Sequence, residues 1–353
     1  MRSKLTPYLY NLNKGMNLPI ISSKKAQIYN IITIIKRATK LGGVISDIIR
    51  QYLNWDIPGS NLNTCTMTCL VYVKCNLSFS HLIEVDLSGS ILTNSNISGC
   101  ILTNVNLTEC VLTKCNFTNS VFINCNLTNA ILKNCIFIGA TLNNILVSGA
   151  DFTNSNMEKS TITNVNFTSA KLYEINFSYS TFKCIDLSNK KLIKVNFTSS
   201  YFKNVIMSHC SILSCIFIKA TLSGTIFAYS YIKCCDFEDA KLKLAHLEGT
   251  TIKKCHFVSC EVIYANWSSS LIKSCNFTSC NLTGSNFSNS ILICGDYYFT
   301  NMSKVNFTSA DLSGIQIPKI MLVGAIFNKT KLVNTNLFQA KLDGVEFTEC
   351  IKK

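Results

Sequence analysis

Every fifth residue from Leu62 onward is apolar. Leu62, Met67, Tyr72, Leu77, Leu82, Leu87, Leu92 and Ile97 open a series that reaches Leu342 and Phe347 without a slip, 58 centres in all. Two residues before each centre stands a small or β-branched residue, as in Cys115, Ser120, Cys125, Ala130, Cys135 and Ala140; Leu70, Lys190 and Ile320 are the clear exceptions. In extended chain side chains alternate, so a centre and its i−2 neighbour point the same way. The residue between them points outward and the next two make a corner. Each unit of five is therefore a very short strand and a turn. A small side chain beside a wide one fills an interior whose opposite walls must not clash. The outward positions carry Asn, Thr, Ser, Lys and Gly, which suit water and turn geometry.

A second period shows how the chain closes. Centres whose numbers end in 7 include 14 Phe of 29, and those ending in 2 include four of 29. Asn or Asp precedes the centre 18 times in the first set and 5 times in the second. The sequence unit is thus ten residues, and like stacks on like only if each coil holds an even number of pentapeptides. Two would enclose no core, and six would leave a hole that Phe and Leu cannot fill. Four remain, giving an all-β solenoid. This β-helix has about 14 coils of four pentapeptides, stacked at ~4.8 Å into a rod ~70 Å long. It is expected over residues 60–350.

Residues 1–59 do not follow the repeat, and residues 351–353 form a short tail. In the first segment Ser22 or Ser23 caps an α-helix over 24–41, which Gly42 and Gly43 end. Ile28, Ile31, Ile32 and Ile35 make one apolar stripe on it. A second short helix is expected over 44–54. The segment carries nine Lys/Arg against two acids. It reads either as a cap over the first coil, which solenoid ends need, or as a basic membrane-surface contact. Residues 1–21 would also suit an export leader. At the other end the repeat runs to Cys350, and an open last coil exposes strand edges. A homodimer through the C-terminal coils is the expectation.

Composition narrows the classes. With 48% apolar and 15% charged residues the chain is no solvated disordered polymer. No stretch approaches the roughly 20 apolar residues that span a bilayer, and no secretory signal is visible. The expected location is the cytoplasm, or a host cell reached by a signal-peptide-independent system. Fifteen of the 19 cysteines take the inward i−2 position, where they alternate with Ser, Ala and Val. That pattern asks only for a small residue and gives zinc no tetrahedral ligand set. So many unpaired thiols also point to a reducing compartment. The recurrent Asn-x-Ser/Thr is a by-product of the repeat. His81, His209, His246 and His256 form no ligand cluster, and no nucleophile–base arrangement or phosphate loop appears. No catalytic residue, metal or cofactor is expected.

Ala130-Ile131-Leu132-Lys133-Asn134, Cys115-Asn116-Phe117-Thr118-Asn119 and Ala310-Asp311-Leu312-Ser313-Gly314 resemble the A(D/N)LXX unit of pentapeptide-repeat proteins. The resemblance covers residues 60–350 and implies a right-handed quadrilateral β-helix. It departs from the family pattern in using Cys, Ser and Val at i−2 and Phe often at the centre. The family shares no single activity, so the resemblance supplies no function. Some members mimic DNA and bind gyrase, which requires an acidic surface. Here the solenoid carries 24 Lys against 17 acids, the wrong sign, so a topoisomerase-binding mimic is the third reading. With no Arg beyond residue 59, nucleic acid is disfavoured as a partner too.

The cations gather in mid-rod, with 13 Lys from Lys159 to Lys254 against six acids. Lys233, Lys253 and Lys273 share one column, a like-charge ladder that costs stability unless a counter-charge visits. Solubilising lysines that splay apart would give the same pattern. Lys190 stands at an inward position beside Lys191, so its corner should bulge outward or its ammonium should pair with a neighbour such as Asp186. Lys233, Lys253, Lys273, Lys190 and Lys191 are the candidate partner- or anion-binding surface. The function these observations point to is a non-catalytic protein-interaction scaffold. Its plan of helical leader plus solenoid resembles that of some bacterial effectors. The alternative is an anionic-lipid binder acting through the basic N-terminal helix.

Overall fold

A computed structural model describes residues 56–352. The helices expected over 24–41 and 44–54, and most of the basic leader, lie outside the described residues. From the first described residue the chain is a four-sided parallel β-helix. Asp56 already bridges Asn76, so the coils begin four residues before the expected boundary, and they continue until Ile351 bridges Lys331. The register is 20 residues throughout: Leu82 lies on Leu102, Ile232 on Ile252, and Phe327 on Phe347.

The strands in chain order are β1 (His81–Ile83), β2 (Ile101–Thr103), β3 (Val121–Ile123), β4 (Thr141–Asn143), β5 (Thr161–Thr163), β6 (Thr181–Asp186), β7 (Lys191–Ile193) and β8 (Tyr201–Ile206). There follow β9 (Ser211–Leu213), β10 (Tyr231–Lys233), β11 (Thr251–Lys253), β12 (Leu271–Lys273), β13 (Ile291–Ile293), β14 (Ile326–Asn328) and β15 (Glu346–Thr348). One coil shows the four sides, centred in turn on Leu82, Leu87, Leu92 and Ile97. β1 to β6 and β8 form one sheet on the first side, and β7 with β9 to β13 another on the opposite, third side. The inward column that follows the first side holds Val85, Val105, Cys125, Ile145, Val165, Ile185 and Val205 while the strands last, then Thr225, Ala245 and Ala265.

At every corner from Gly59 to Glu349 but that of Ser169, the fourth residue after the inward one takes left-handed backbone, Asn119 with φ 56° and Asn129 with φ 58° among them. Glycine and asparagine bear this conformation at least cost. The phenyl rings fill the interior in stacks. Phe177, Phe197, Phe217, Phe237, Phe257, Phe277 and Tyr297 form one pile with centroids 4.7–5.5 Å apart and planes within 3–14°. Inward Ser and Cys are interchangeable for a further reason. Ser120 Oγ donates to Ile97 O at 2.6 Å and Cys100 Sγ to Leu77 O at 2.9 Å, each reaching the preceding coil. Among the described residues no helix is long and apolar enough to cross a membrane.

Candidate interaction surface

The third side carries the lysines. β10, β11 and β12 pair in parallel so that Lys233 faces Lys253 and Lys253 faces Lys273. Strand geometry sets these neighbours ~4.8 Å apart at the backbone. The strand leaves each lysine outward because the inward place beside it belongs to Ile232, Ile252 or Ile272. Lys253 Nζ lies 5.7 Å from the centre of the Tyr231 ring, a cation–π contact. Among the described residues none of the three has an ion pair.

Elsewhere the coil-to-coil column joins opposite charges. Lys194 Nζ is 3.0 Å from Glu174, and Lys331 Nζ is 3.1 Å from Asp311, each across one coil step. Lys133 and Lys171 close on Asp151 from either side at 3.3 and 3.7 Å. Burial pushes the Asp151 carboxyl up, but hydrogen bonds from Thr153 and the ammonium of Lys133 outweigh it and hold it below its ordinary value. The rod thus uses its 20-residue register to pair opposite charges around Asp151, at Glu174, at Asp311 and at Glu349, and it stacks like charges at Lys233–Lys253–Lys273 and at Lys183–Lys203.

Lys191 sits on the same third side, in the column that continues through Ser211 and Tyr231. Lys190 does not join the surface. It is 8% exposed, and its ammonium donates to the carbonyls of Thr168, at 3.2 Å, and Ala170. The partner is therefore the backbone of the preceding coil, not Asp186, whose Oδ1 accepts the Ser188 amide at 2.8 Å. The corner that yields is one coil back. Ser169 alone among the corner residues from Gly59 to Glu349 lacks left-handed backbone, and its hydroxyl takes the Gly149 amide at 3.3 Å. Turning that corner frees two carbonyls for the inward cation.

Among the described residues no three His, Cys, Asp or Glu side chains could hold a metal ion. His209 stacks on Tyr229 with centroids 5.3 Å apart, and His246 Nδ1 lies 3.7 Å from Glu248. The thiol column Cys215, Cys235, Cys255 and Cys275 is buried among the stacked rings. A cavity of about 400 Å³ near the last coil is lined by Leu332, Asn334, Thr335, Leu337 and Lys352. What sequence reasoning missed on the third side is Tyr231, whose ring lies beside the ladder; its outward position, one residue before a centre, was legible.

The family model for pentapeptide repeats (8 copies) matches residues 73–108, 100–137, 137–168 and 270–314, and that for a pentapeptide repeat region matches 210–287. Together they take in more than half of the chain. No curated protein matches it. Among solved structures, HetL, a pentapeptide repeat protein involved in heterocyst differentiation regulation in Nostoc sp. strain PCC 7120, is 16% identical; the match covers 61% of this chain and 87% of HetL, with a TM-score of 0.23. A trypsin-treated form of QnrB1, a plasmid-mediated fluoroquinolone resistance protein, is 15% identical over 64% of this chain and 85% of its own, at 0.26. A pentapeptide repeat protein of the Arabidopsis thaliana thylakoid lumen is 22% identical over 38% and 78%, at 0.20. These likenesses carry no argument about partner or activity.

Proposed function

The chain belongs to the pentapeptide-repeat family, and from that premise we propose that it is a non-catalytic scaffold that binds an acidic protein partner along its side. The observation that supports this reading is the stacking of Lys233, Lys253 and Lys273 over three successive coils without a counter-charge, a longer run than the Lys183–Lys203 pair, on a rod that joins opposite charges at several other coil steps. Directly opposed like charges destabilise a sheet, so the free rod carries a cost that an acidic ligand removes. A sheet with a uniform 20-residue register holds such a column straight and needs no ordering on binding.

Proximity labelling of the intact protein, compared with a variant carrying Lys233→Glu, Lys253→Glu and Lys273→Glu, tests it. A set of protein neighbours lost in the variant is the expected result. An identical neighbour set in both proteins overturns the lysine column as the working face.

The 19 cysteines support a reducing compartment, either the cytoplasm of a producing bacterium or a host cell reached as an effector. A second copy of the chain is the other proposed partner, through the C-terminal coils. The nine Lys/Arg of residues 1–59 support a second reading, anionic-lipid binding. Flotation with anionic vesicles that disappears on removal of those residues would favour it over the scaffold.

A further inference from the structure

On the second side the outward column is polar over most of the rod. Asn96 and Asn116 on the fourth side, and Asn106 and Asn126 on the second, show its purpose. Asn126 Oδ1 accepts the Thr128 amide at 3.0 Å and the Thr128 hydroxyl at 2.6 Å, which ties down the corner. The second-side column resumes at Asn266, Asn286 and Asn306, where Asn286 Nδ2 donates to Asn266 at 3.2 Å. Between Asp186 and Asn266 it reads Ile206, Ile226 and His246, three successive coils in bridge register. Leu146 and Ile326 are lapses of one coil each, whereas this is a gap of three. Two of its three residues are branched aliphatic side chains facing water, with Ala228 at the place that Ser or Thr holds elsewhere in the column.

The corners bordering the gap are apolar as well. Tyr229 (60% exposed) lies on one, and Leu244 (54%) and Tyr264 (55%) on the other. All three hold left-handed backbone, with φ 59°, 59° and 54°. A bulky side chain there bears strain, and its exposure adds a second cost, so together they mark the strip as something other than solvated surface. The rings also have a place prepared for them. One coil beyond Tyr229 stands Gly249, where a Cβ would meet the ring at 2.5 Å, and one coil beyond Tyr264 stands Gly284. The glycines let both rings lie flat along the rod.

Charge and backbone direction define the occupant. Lys243 stands beside Leu244, and Lys203 stands two coils earlier on the same edge, in β8 and facing Lys183; both are exposed and without an ion pair among the described residues, while Lys233, Lys253 and Lys273 lie past Tyr231 on the far flank. The acid within the strip, Glu248, is engaged by Asn266 Nδ2 at 3.2 Å. An apolar strip with a basic rim is complementary to an apolar stripe with acidic flanks. Backbone amides and carbonyls here point along the rod, to the coils before and after: Met207 N to Ile226 O at 2.6 Å, and Phe227 N to His246 O at 2.7 Å. The side surface therefore offers an incoming chain no backbone bonds, and a strand laid on it would leave its own unsatisfied. A segment that satisfies its own backbone is an α-helix.

We propose that the Ile206–Ile226–Tyr229–Leu244–Tyr264 strip docks an acidic amphipathic α-helix of the partner protein, lying along the rod with its carboxylates toward Lys203 and Lys243. This deepens the scaffold reading and rests on it. From Ile206 to Tyr264 is about three coil steps, ~14 Å, or two to three helical turns.

The probe is a fluorescein-labelled synthetic helix of about 21 residues with Leu at positions a and d of each heptad and Ala and Glu elsewhere. A second peptide of the same composition scatters its Leu around the helix. Fluorescence anisotropy with the full chain should show at least tenfold tighter binding of the first. Ile206→Asn with Ile226→Asn restores the polar column; it should abolish that preference while the melting temperature stays level or rises. Lys203→Glu with Lys243→Glu should weaken binding and reduce its salt dependence. Failure of the first peptide to bind, equal binding of both peptides, or undiminished binding by the restored-column variant each overturns the proposal. So does flotation on anionic vesicles that the restored-column variant loses, which would assign the strip to a lipid surface. None of these results bears on neighbours lost through the Lys233, Lys253 and Lys273 variant, so the scaffold reading fails or stands separately.

Discussion

At Lys190 the repeat accepts a residue that its packing argues against. The column before and after it holds Ala170 and Cys210, so the site is built for a small side chain. Loss of water lowers the Lys190 pKa from its ordinary value, the nearby Cys210 opposing this only in part. The unfolded chain, with the ordinary lysine pKa, then binds more protons in the window between the lowered value and about 10.5, and stability rises with pH across it. Below that window the buried ammonium is a standing cost. Lys190→Ser is expected to raise the melting temperature at pH 7 by roughly 2 °C or more, with a smaller gain at pH 10, measured by thermal melts at both. A variant that melts lower at pH 7 would show that the two carbonyl bonds outweigh desolvation. Gly295 presents the converse case. It occupies an inward place, and a Cβ there would meet the Tyr297 ring at 2.7 Å. Gly295→Ala should cost about 1–3 kcal/mol by overpacking, read from the same melts.

The pentapeptide is held by its corner more than by its strand. In the Asn116 unit one side chain serves three bonds. Its Oδ1 takes the Thr118 amide at 3.0 Å and hydroxyl at 2.6 Å, and its Nδ2 reaches Asn96 at 3.3 Å on the coil before. This accounts for the Asn-x-Thr recurrence in the sequence, which no glycan is needed to explain. Asn116→Ala should destabilise by roughly 1–3 kcal/mol, whereas Asn116→Asp keeps the acceptor and loses less. Chemical denaturation of both variants checks the order. Asp151 already makes this exchange, accepting Thr153 at 2.6 Å while Lys133 and Lys171 balance its charge. Its carboxyl pKa is held down, so its contribution is present above the ordinary carboxylate range and is lost as pH falls through the lowered value.

Along the whole rod the stack of rings makes neighbouring coils mutually dependent. Phe307 and Phe327 are fully buried in their column, but Phe347 is 38% exposed, and Phe338 and Ile351 are more so. The homodimer proposed above would cover these exposed apolar side chains. Multi-angle light scattering at micromolar concentration should give twice the chain mass, and Phe338→Lys with Phe347→Lys should return it to one. A single-mass species in the unaltered protein would refute end-to-end pairing.

The period-five apolar centres, the ten-residue alternation and the need to fill an interior determined the four-sided coil and its 20-residue register before any coordinates, because each depends only on side-chain volume and the two-residue period of extended chain. The same register put Lys233, Lys253 and Lys273 in one column. Tertiary structure decided what depends on neighbours outside the column. It took Lys190 off the surface by turning the Ser169 corner one coil earlier, an adjustment of backbone that no residue type records. It moved the sheet from the first side, which ends with β8, to the third, which β7 and β9 to β13 occupy. The gap at Ile206, Ile226 and His246 was readable as three missing Asn residues. That Tyr229, Leu244 and Tyr264 border it was not, since they lie on two corners, and only the fold around the coil brings those corners to either edge of one side.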